Sequence, residues 1–319
     1  MLGRTANDLF WMSRYVERAE NMARLLEVGY RIALLPREGH GQDGEWRSTL
    51  RSAGCERGYL AKHGAYETSR VVAFMLFDAD NPSSVYSCLA AARRNARAQR
   101  IALTREMWES LNAAWITLSA IDPATLTPDK LPPLFDWIKE RSALFRGTLL
   151  NTILRNDTFY FNQLGTFLER ADNTARILDV KYYVLLPHNE PVGGEIDSVQ
   201  WAAILRSVSA HRSYRWVYKG YKPWRIADYL ILNRQMPRSL RSCYEEIVQA
   251  LVELGRYYAT LDGPQELAGE ILRELADGDM KAIFQSGLHE FLTAFIARNN
   301  RLGREISSTY HFTEKLASC

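Results

Sequence analysis

Cysteine is scarce in this 319-residue chain: Cys55, Cys88, Cys243 and Cys319, none at the spacing of a metal or redox pair. That excludes a disulfide framework and predicts a reduced, cytoplasmic protein. Histidine is scarce too, with six in all and no Glu-x-x-His. A carboxylate di-metal bundle needs that motif, so no metal is expected. The chain has no G-x-x-x-x-G-K-[ST] loop, no G-x-S-x-G elbow and no glycine-rich nucleotide fingerprint. It therefore carries no recognised means of ATP hydrolysis or nucleophilic acyl transfer, and no cofactor is expected. No run of about 18 apolar residues predicts a membrane span. The start, MLGRTANDLFWMSRYVERAE, is charged by residue 4 and acidic by residue 8, unlike a secretory leader. Alternating strand patterns are absent as well. The net charge of +3 is too small to argue for nucleic acid.

What the chain has is helical periodicity and an ordinary soluble composition, 47% hydrophobic and 24% charged. Asn7 or Asp8 can cap a first helix that Pro36 ends. Residues 37–45 read as a loop, with a helix from Trp46. Asp80 or Asn81 can cap the alanine-rich helix that follows Pro82. Residues 121–133 break that pattern, and 134–154 resume it. Asn156 and Asp157 cap a further helix.

Two stretches nearly spell the same word: ERAENMARLLEV from Glu17 and ERADNTARILDV from Glu169. Both run on to Leu-Leu-Pro, at Pro36 and Pro187. Downstream, one ungapped offset of 155 pairs Trp46 with Trp201, Ser52 with Ser207, Arg57 with Arg212, Tyr59 with Tyr214 and Tyr66 with Tyr221. It continues through Arg70 with Arg225, Pro82 with Pro237 and Cys88 with Cys243. The expected fold is all-α: two duplicated helical units, 1–155 and 156–310, packed as one bundle-like globule about a pseudo-two-fold axis, with a flexible tail at 311–319.

At 100° per residue, Glu17, Glu20, Asn21 and Arg24 share one helix face, with Arg14 near its edge. Glu169, Asp172, Asn173 and Arg176 share the matching face. Three readings stand open. The faces can be solvated, with Glu20–Arg24 and Asp172–Arg176 as i, i+4 pairs that stabilise each helix by about 0.2–0.5 kcal/mol. They can meet as a buried polar network joining the halves, which requires full satisfaction of its groups. Or they can line a cleft whose arginines hold a carboxylate or phosphate, while Glu17 or Glu169 takes a proton or orients an amine. The polar face agrees between copies better than the apolar face does: Met22 faces Thr174, while the Glu, Arg, Asn and Arg are unchanged. Cys88 and Cys243 suit small buried apolar positions. The run AARRNARAQR (91–100) suits a solvated face.

NDLFWMSRYVERAENMARLLEV and LERADNTARILDVKYY resemble the alpha-E domain family, an all-helical bacterial family named for its Glu-Arg motif. The resemblance spans about residues 2–310 and carries the motif to Glu17-Arg18 and Glu169-Arg170. One departure is Gln163 and Thr166, where a more basic lead-in is expected. Members of the family are typically encoded beside, or fused to, circularly permuted ATP-grasp proteins, often with a transglutaminase-like protein. The resemblance thus implies a helical partner in a peptide or amide ligation system, binding a carboxylate- or amine-bearing substrate. Glu17, Glu169, Arg18 and Arg170 would be central, and Glu20, Asn21, Arg24, Asp172, Asn173 and Arg176 would support them. One alternative is a stand-alone enzyme with Glu17 or Glu169 as general base on an amide or acyl intermediate. Another rests on HRSYRWVYKGYKPWR (211–225), whose arginines, two lysines and five aromatics carry no acid. It suits an anionic partner, or else a helix end that packs its rings beneath snorkelling arginines.

Overall fold

Helix α1 (Gly3–Ala33) and helix α8 (Asp157–Tyr183) lie side by side in a computed structural model describing residues 1–34, 43–183, 194–259 and 263–312. They run in the same direction, with Ser13 Oγ donating to Asn162 Oδ1 at 2.7 Å and, further along, Arg18 meeting Glu169. The approach is close because Gly165 has no side chain. A Cβ there would sit 2.1 Å from the Phe10 carbonyl oxygen.

Each of these helices carries its own layer. Helices α5 (Val85–Ala98) and α7 (Leu131–Thr152) pack on α1, and α6 (Arg105–Ser119) packs between them. Helices α12 (Leu240–Tyr258) and α15 (Leu288–Thr309) pack on α8, and α13 (Pro264–Ala276) bridges those two. Short helices cap the ends: α2 (Asp43–Ser52), α3 (Glu56–Lys62) and α4 (Thr68–Leu76) in the first half. The second half has α9 (Glu195–Ser207), α10 (His211–Val217) and α11 (Pro223–Ile231), and later α14 (Met280–Ser286). One continuous apolar core runs through both halves. No strand occurs among the described residues, and no described helix is long and apolar enough to cross a membrane.

The offset of 155 is also a spacing of structure. Helices α3 and α10, and α4 and α11, begin and end 155 residues apart. Tyr59 stacks on Tyr66 at 5.9 Å as Tyr214 stacks on Tyr221 at 6.2 Å. Tyr59 Oη donates to the Ala65 carbonyl, and Tyr214 Oη to that of Gly220. Ser84 and Ser239 cap α5 and α12 alike. Cys88 and Cys243 are both fully buried, which pushes each thiol up to about 12. A second spacing, 157, relates α7 to α15. Ser142 Oγ donates to the Val16 carbonyl as Asn299 Nδ2 donates to that of Leu168.

Several expected boundaries move. Helix α1 starts at Gly3, because Thr5 and Ala6 already bond to the Leu2 carbonyl. Asn7 and Asp8 therefore lie inside it, and Asp8 instead accepts from Gln99 at the end of α5. Asp43–Glu45 belong to α2 rather than to a loop. Ser84, not Asp80 or Asn81, caps α5, while Asn81 bonds to Phe74 and Ser83. Phe312 packs on Phe10 and Phe161, so the body extends to it. Residues 313–319 and the prolines of both Leu-Leu-Pro sequences lie outside the described residues.

Candidate functional site

The two words meet face to face, and their bridges cross. Arg18 of α1 donates to Glu169 of α8 through Nε at 2.6 Å and Nη2 at 3.0 Å. Arg170 of α8 donates to Glu17 of α1 through Nε and Nη2, both at 3.1 Å. The next acid–arginine pair stays on its own helix and reaches across with its spare donor. Arg24 holds Glu20 and donates to the Ser207 carbonyl. Arg176 holds Asp172 and donates to the Ser52 carbonyl at 3.2 Å. Ser52 and Ser207 are themselves a pair at offset 155. The faces are not solvated: Glu17 is 1% exposed, Glu20 0% and Glu169 4%.

Three further arginines enter from outside the words' polar faces. Arg14 Nε reaches Glu169 at 2.8 Å. Arg146 Nη1, from α7, reaches Glu17 at 2.8 Å and also Glu20. Arg238, just ahead of α12, reaches Glu17 at 3.0 Å and also Glu20. Seven guanidinium groups thus surround four carboxylates, Glu17, Glu20, Glu169 and Asp172, an excess of three positive charges. Asn21 donates to the Glu169 carbonyl at 3.3 Å, and its own oxygen has no partner among the described residues. Neither amide atom of Asn173 has one.

This charge balance sets the chemistry. Burial pushes Glu17 up, but Arg170, Arg146 and Arg238 outweigh it and hold the carboxyl well below its ordinary range. Burial and Glu17 push Glu20 up, while Arg238, Arg24 and Arg146 bring it down to about 2. Glu169, with burial opposed by Arg18 and Arg14, is also held at about 2. Arg18 and Arg170 are raised, Glu169 and Glu17 overcoming their desolvation. Arg238 is drawn down to about 10, chiefly by burial, and stays charged at neutral pH. Carboxylates with so little affinity for protons are weak bases at neutral pH. As fixed anions they orient arginines well.

Beside the cluster opens a groove of about 400 Å³ between α7, α8 and α12. Arg146 and Arg170 reach it from the cluster, and Arg155 stands at its edge over the Phe159 ring. Glu246 and Gln249 line the α12 side. In the first half, Trp11 and Arg14 occupy the positions that Gln163 and Thr166 hold here, and Arg14 stacks on Trp11 at 4.6 Å. Arg14 Nη1 lies 3.5 Å from where a Cβ on Gly303 would be, and Gly303 matches Arg146 at the spacing of 157. The guanidinium that α1 supplies to Glu169 therefore comes, for Glu17, from α7.

All ten residues singled out in the sequence lie on this helix pair, Glu20, Asn21, Arg24, Asp172, Asn173 and Arg176 included. Arg146 and Arg238 were not legible as members. Arg238 did leave a signal, since MPRSLRSC aligned with NPSSVYSC puts it opposite Ser83. The missing basic residue at Thr166 hinted that a cation had to come from elsewhere.

The stretch 211–225 divides in two. Tyr214 is buried and packs on Tyr218 and Tyr229. Trp216 is 77% exposed and Trp224 48%, among exposed Arg212, Arg215, Lys219 and Lys222.

Comparison with known proteins matches residues 1–311 to Alpha-E, described as a predicted alpha-helical domain with a conserved ER motif. Similar proteins include Uncharacterized protein Mb2597 of Mycobacterium bovis and Uncharacterized protein MT2643 of Mycobacterium tuberculosis. Each is 34% identical over 117 residues, covering 33% of this chain. The matched part spans only 13% of the length of either relative. No solved structure matches the chain.

Proposed function

Since the chain belongs to the Alpha-E family, we propose that it is the substrate-holding partner of an ATP-grasp-type peptide or amide ligase, working beside a transglutaminase-like protein in some systems. In this reading its two halves, 1–155 and 156–310, are copies of one helical unit, and their meeting faces form the binding machinery. Glu17 and Glu169 hold the arginines in place. Arg170 and Arg146 present the surplus positive charge to a carboxylate-bearing substrate in the groove. Arg18, Glu20, Asn21, Arg24, Asp172, Asn173 and Arg176 keep that charge positioned.

The observation that carries this reading is the excess of guanidinium over carboxylate next to an open groove. Arg146 uses only Nη1 on the glutamates, so its other nitrogens have no partner among the described residues. The reading of Glu17 or Glu169 as a general base asks for a carboxylate that takes protons near neutral pH, which the surrounding arginines oppose. A polyanion reading is favoured by one observation alone, the exposed Trp216 and Trp224 among basic residues.

The test is affinity purification of the tagged protein from its own cells, followed by ATP turnover of what co-elutes. Wild type should bring down an ATP-grasp protein, and the pair should consume ATP in a substrate-dependent way. Arg155→Gln should keep the partner and weaken that dependence. Repeated recovery of the wild-type chain without any ATP-grasp protein would remove the partner reading. Recovery of nucleic acid in a salt-sensitive way would favour the polyanion reading instead.

A further inference from the structure

The groove has two walls of opposite charge. On the α7 and α8 side stand Arg146, Arg155 and Arg170. On the α12 side stands Glu246, which has no hydrogen bond or ion pair among the described residues. Between them the lining is uncharged, with Phe159 and Phe167 beneath the arginines and Gln163 and Thr166 beside them. A volume of about 400 Å³ falls in the range of small-molecule sites, roughly 300–1,000 Å³.

The matching positions on α1, α5 and α15 show that none of this is needed for such helices to pack. Gln163, Thr166, Glu246 and Arg146 stand where the matching place, between α1, α5 and α15, has Trp11, Arg14, Ala91 and Gly303. There an indole and an inward-turned guanidinium take the space. The two halves share their helices and their crossed bridges, and they differ where this groove opens between α7, α8 and α12.

We infer that the groove binds a zwitterion: the end of a peptide or an amino acid whose carboxylate meets Arg146, Arg155 and Arg170 and whose ammonium meets Glu246. An apolar side chain would lie on Phe159 and Phe167. A simple anion, inorganic phosphate included, would use the arginines and leave Glu246 as a repulsive neighbour. The carboxylate half of this inference rests on the binding role proposed above. The ammonium half is new and separable.

The probes are L-alanyl-L-phenylalanine, its N-acetyl form and its C-terminal amide, titrated calorimetrically into the full chain. The free dipeptide should bind, and each blocked form should bind at least about tenfold more weakly, roughly 1.4 kcal/mol. Glu246→Gln should weaken the free dipeptide to the level of the N-acetyl form and leave the N-acetyl form unchanged. Gln163→Trp, which copies Trp11, should abolish binding while the circular dichroism stays native. Equal binding of the free and N-acetyl forms would overturn the zwitterion inference and leave a carboxylate site standing. Inorganic phosphate displacing the dipeptide at lower concentration would also overturn it. If no probe binds the wild type, both the inference and the binding role fall.

Discussion

Arg170 holds Glu17 from the opposite helix through two nitrogens, each at 3.1 Å. The pair is buried, and it is the mirror of Arg18 on Glu169. Removing one partner of a buried pair leaves a charge without compensation, which costs about 3–5 kcal/mol. Glu17 keeps Arg146 and Arg238 when Arg170 is lost. Arg170→Met should therefore destabilise the protein by less than that cost in urea unfolding. Glu17→Gln leaves three arginines short of an anion and should cost about that much. Glu17→Gln combined with Arg170→Met should cost clearly less than the two single changes added together. Strict additivity would mean that the bridge is not an energetic unit.

The depressed carboxylates link stability to acid. Glu20 and Glu169 fall from 4.5 to about 2 on folding, and Glu17 falls well below 4.5. A group whose folded value lies below its unfolded value stabilises the fold above the unfolded value and loses that contribution as pH falls towards the folded one. Stability should be nearly flat from pH 7 to about 5, then drop steeply between pH 4.5 and about 2. Urea midpoints measured across that range check it. Paired Arg18→Met and Glu169→Gln changes should flatten the drop, because they remove one of the titrating groups.

The helices and the offset of 155 were legible because both are written in short-range pattern. Apolar spacing marks a helix, and identities such as Tyr59 with Tyr214 mark positions with the same neighbours. The burial of the polar faces was not legible. Glu20 and Arg24 make the same i, i+4 pair in water as in a core, so the sequence left both readings open. What decides it is the close crossing of α1 and α8, which hangs on Gly165. Arg146 was invisible for a related reason. Its helix position looks like any surface arginine until α7 is laid along α1 and its guanidinium meets Glu17.

The exposed tryptophans give a third prediction. Trp216 and Trp224 occupy the places of Ala61 and Ser69 in the first half, where the same tyrosine stacks form. Their rings are therefore not needed to fold α10 and α11. Trp216→Ala and Trp224→Ser should each change stability by no more than about 0.5 kcal/mol, as ordinary surface substitutions do. Thermal unfolding measures this. A loss of several kcal/mol from either would mean that these rings pack against the body.

The glycines of α8 and α7 separate close packing from helix propensity. Gly165 lies where a Cβ would stand 2.1 Å from the Phe10 carbonyl oxygen and 3.0 Å from its carbon. Backbone cannot yield there without parting α1 from α8, and the crossed bridges depend on that approach. Gly147, in α7, has nothing within 4 Å of the same position. Gly165→Ala should destabilise by about 3 kcal/mol or more, beyond the usual range for overpacking. It should also weaken the acid dependence, since Arg18 and Arg170 would no longer reach their glutamates. Gly147→Ala should stabilise by roughly 0.4–1 kcal/mol, by restricting the unfolded chain and favouring the helix. Matching urea curves for the two variants would show that the helix pair does not rely on contact at Gly165.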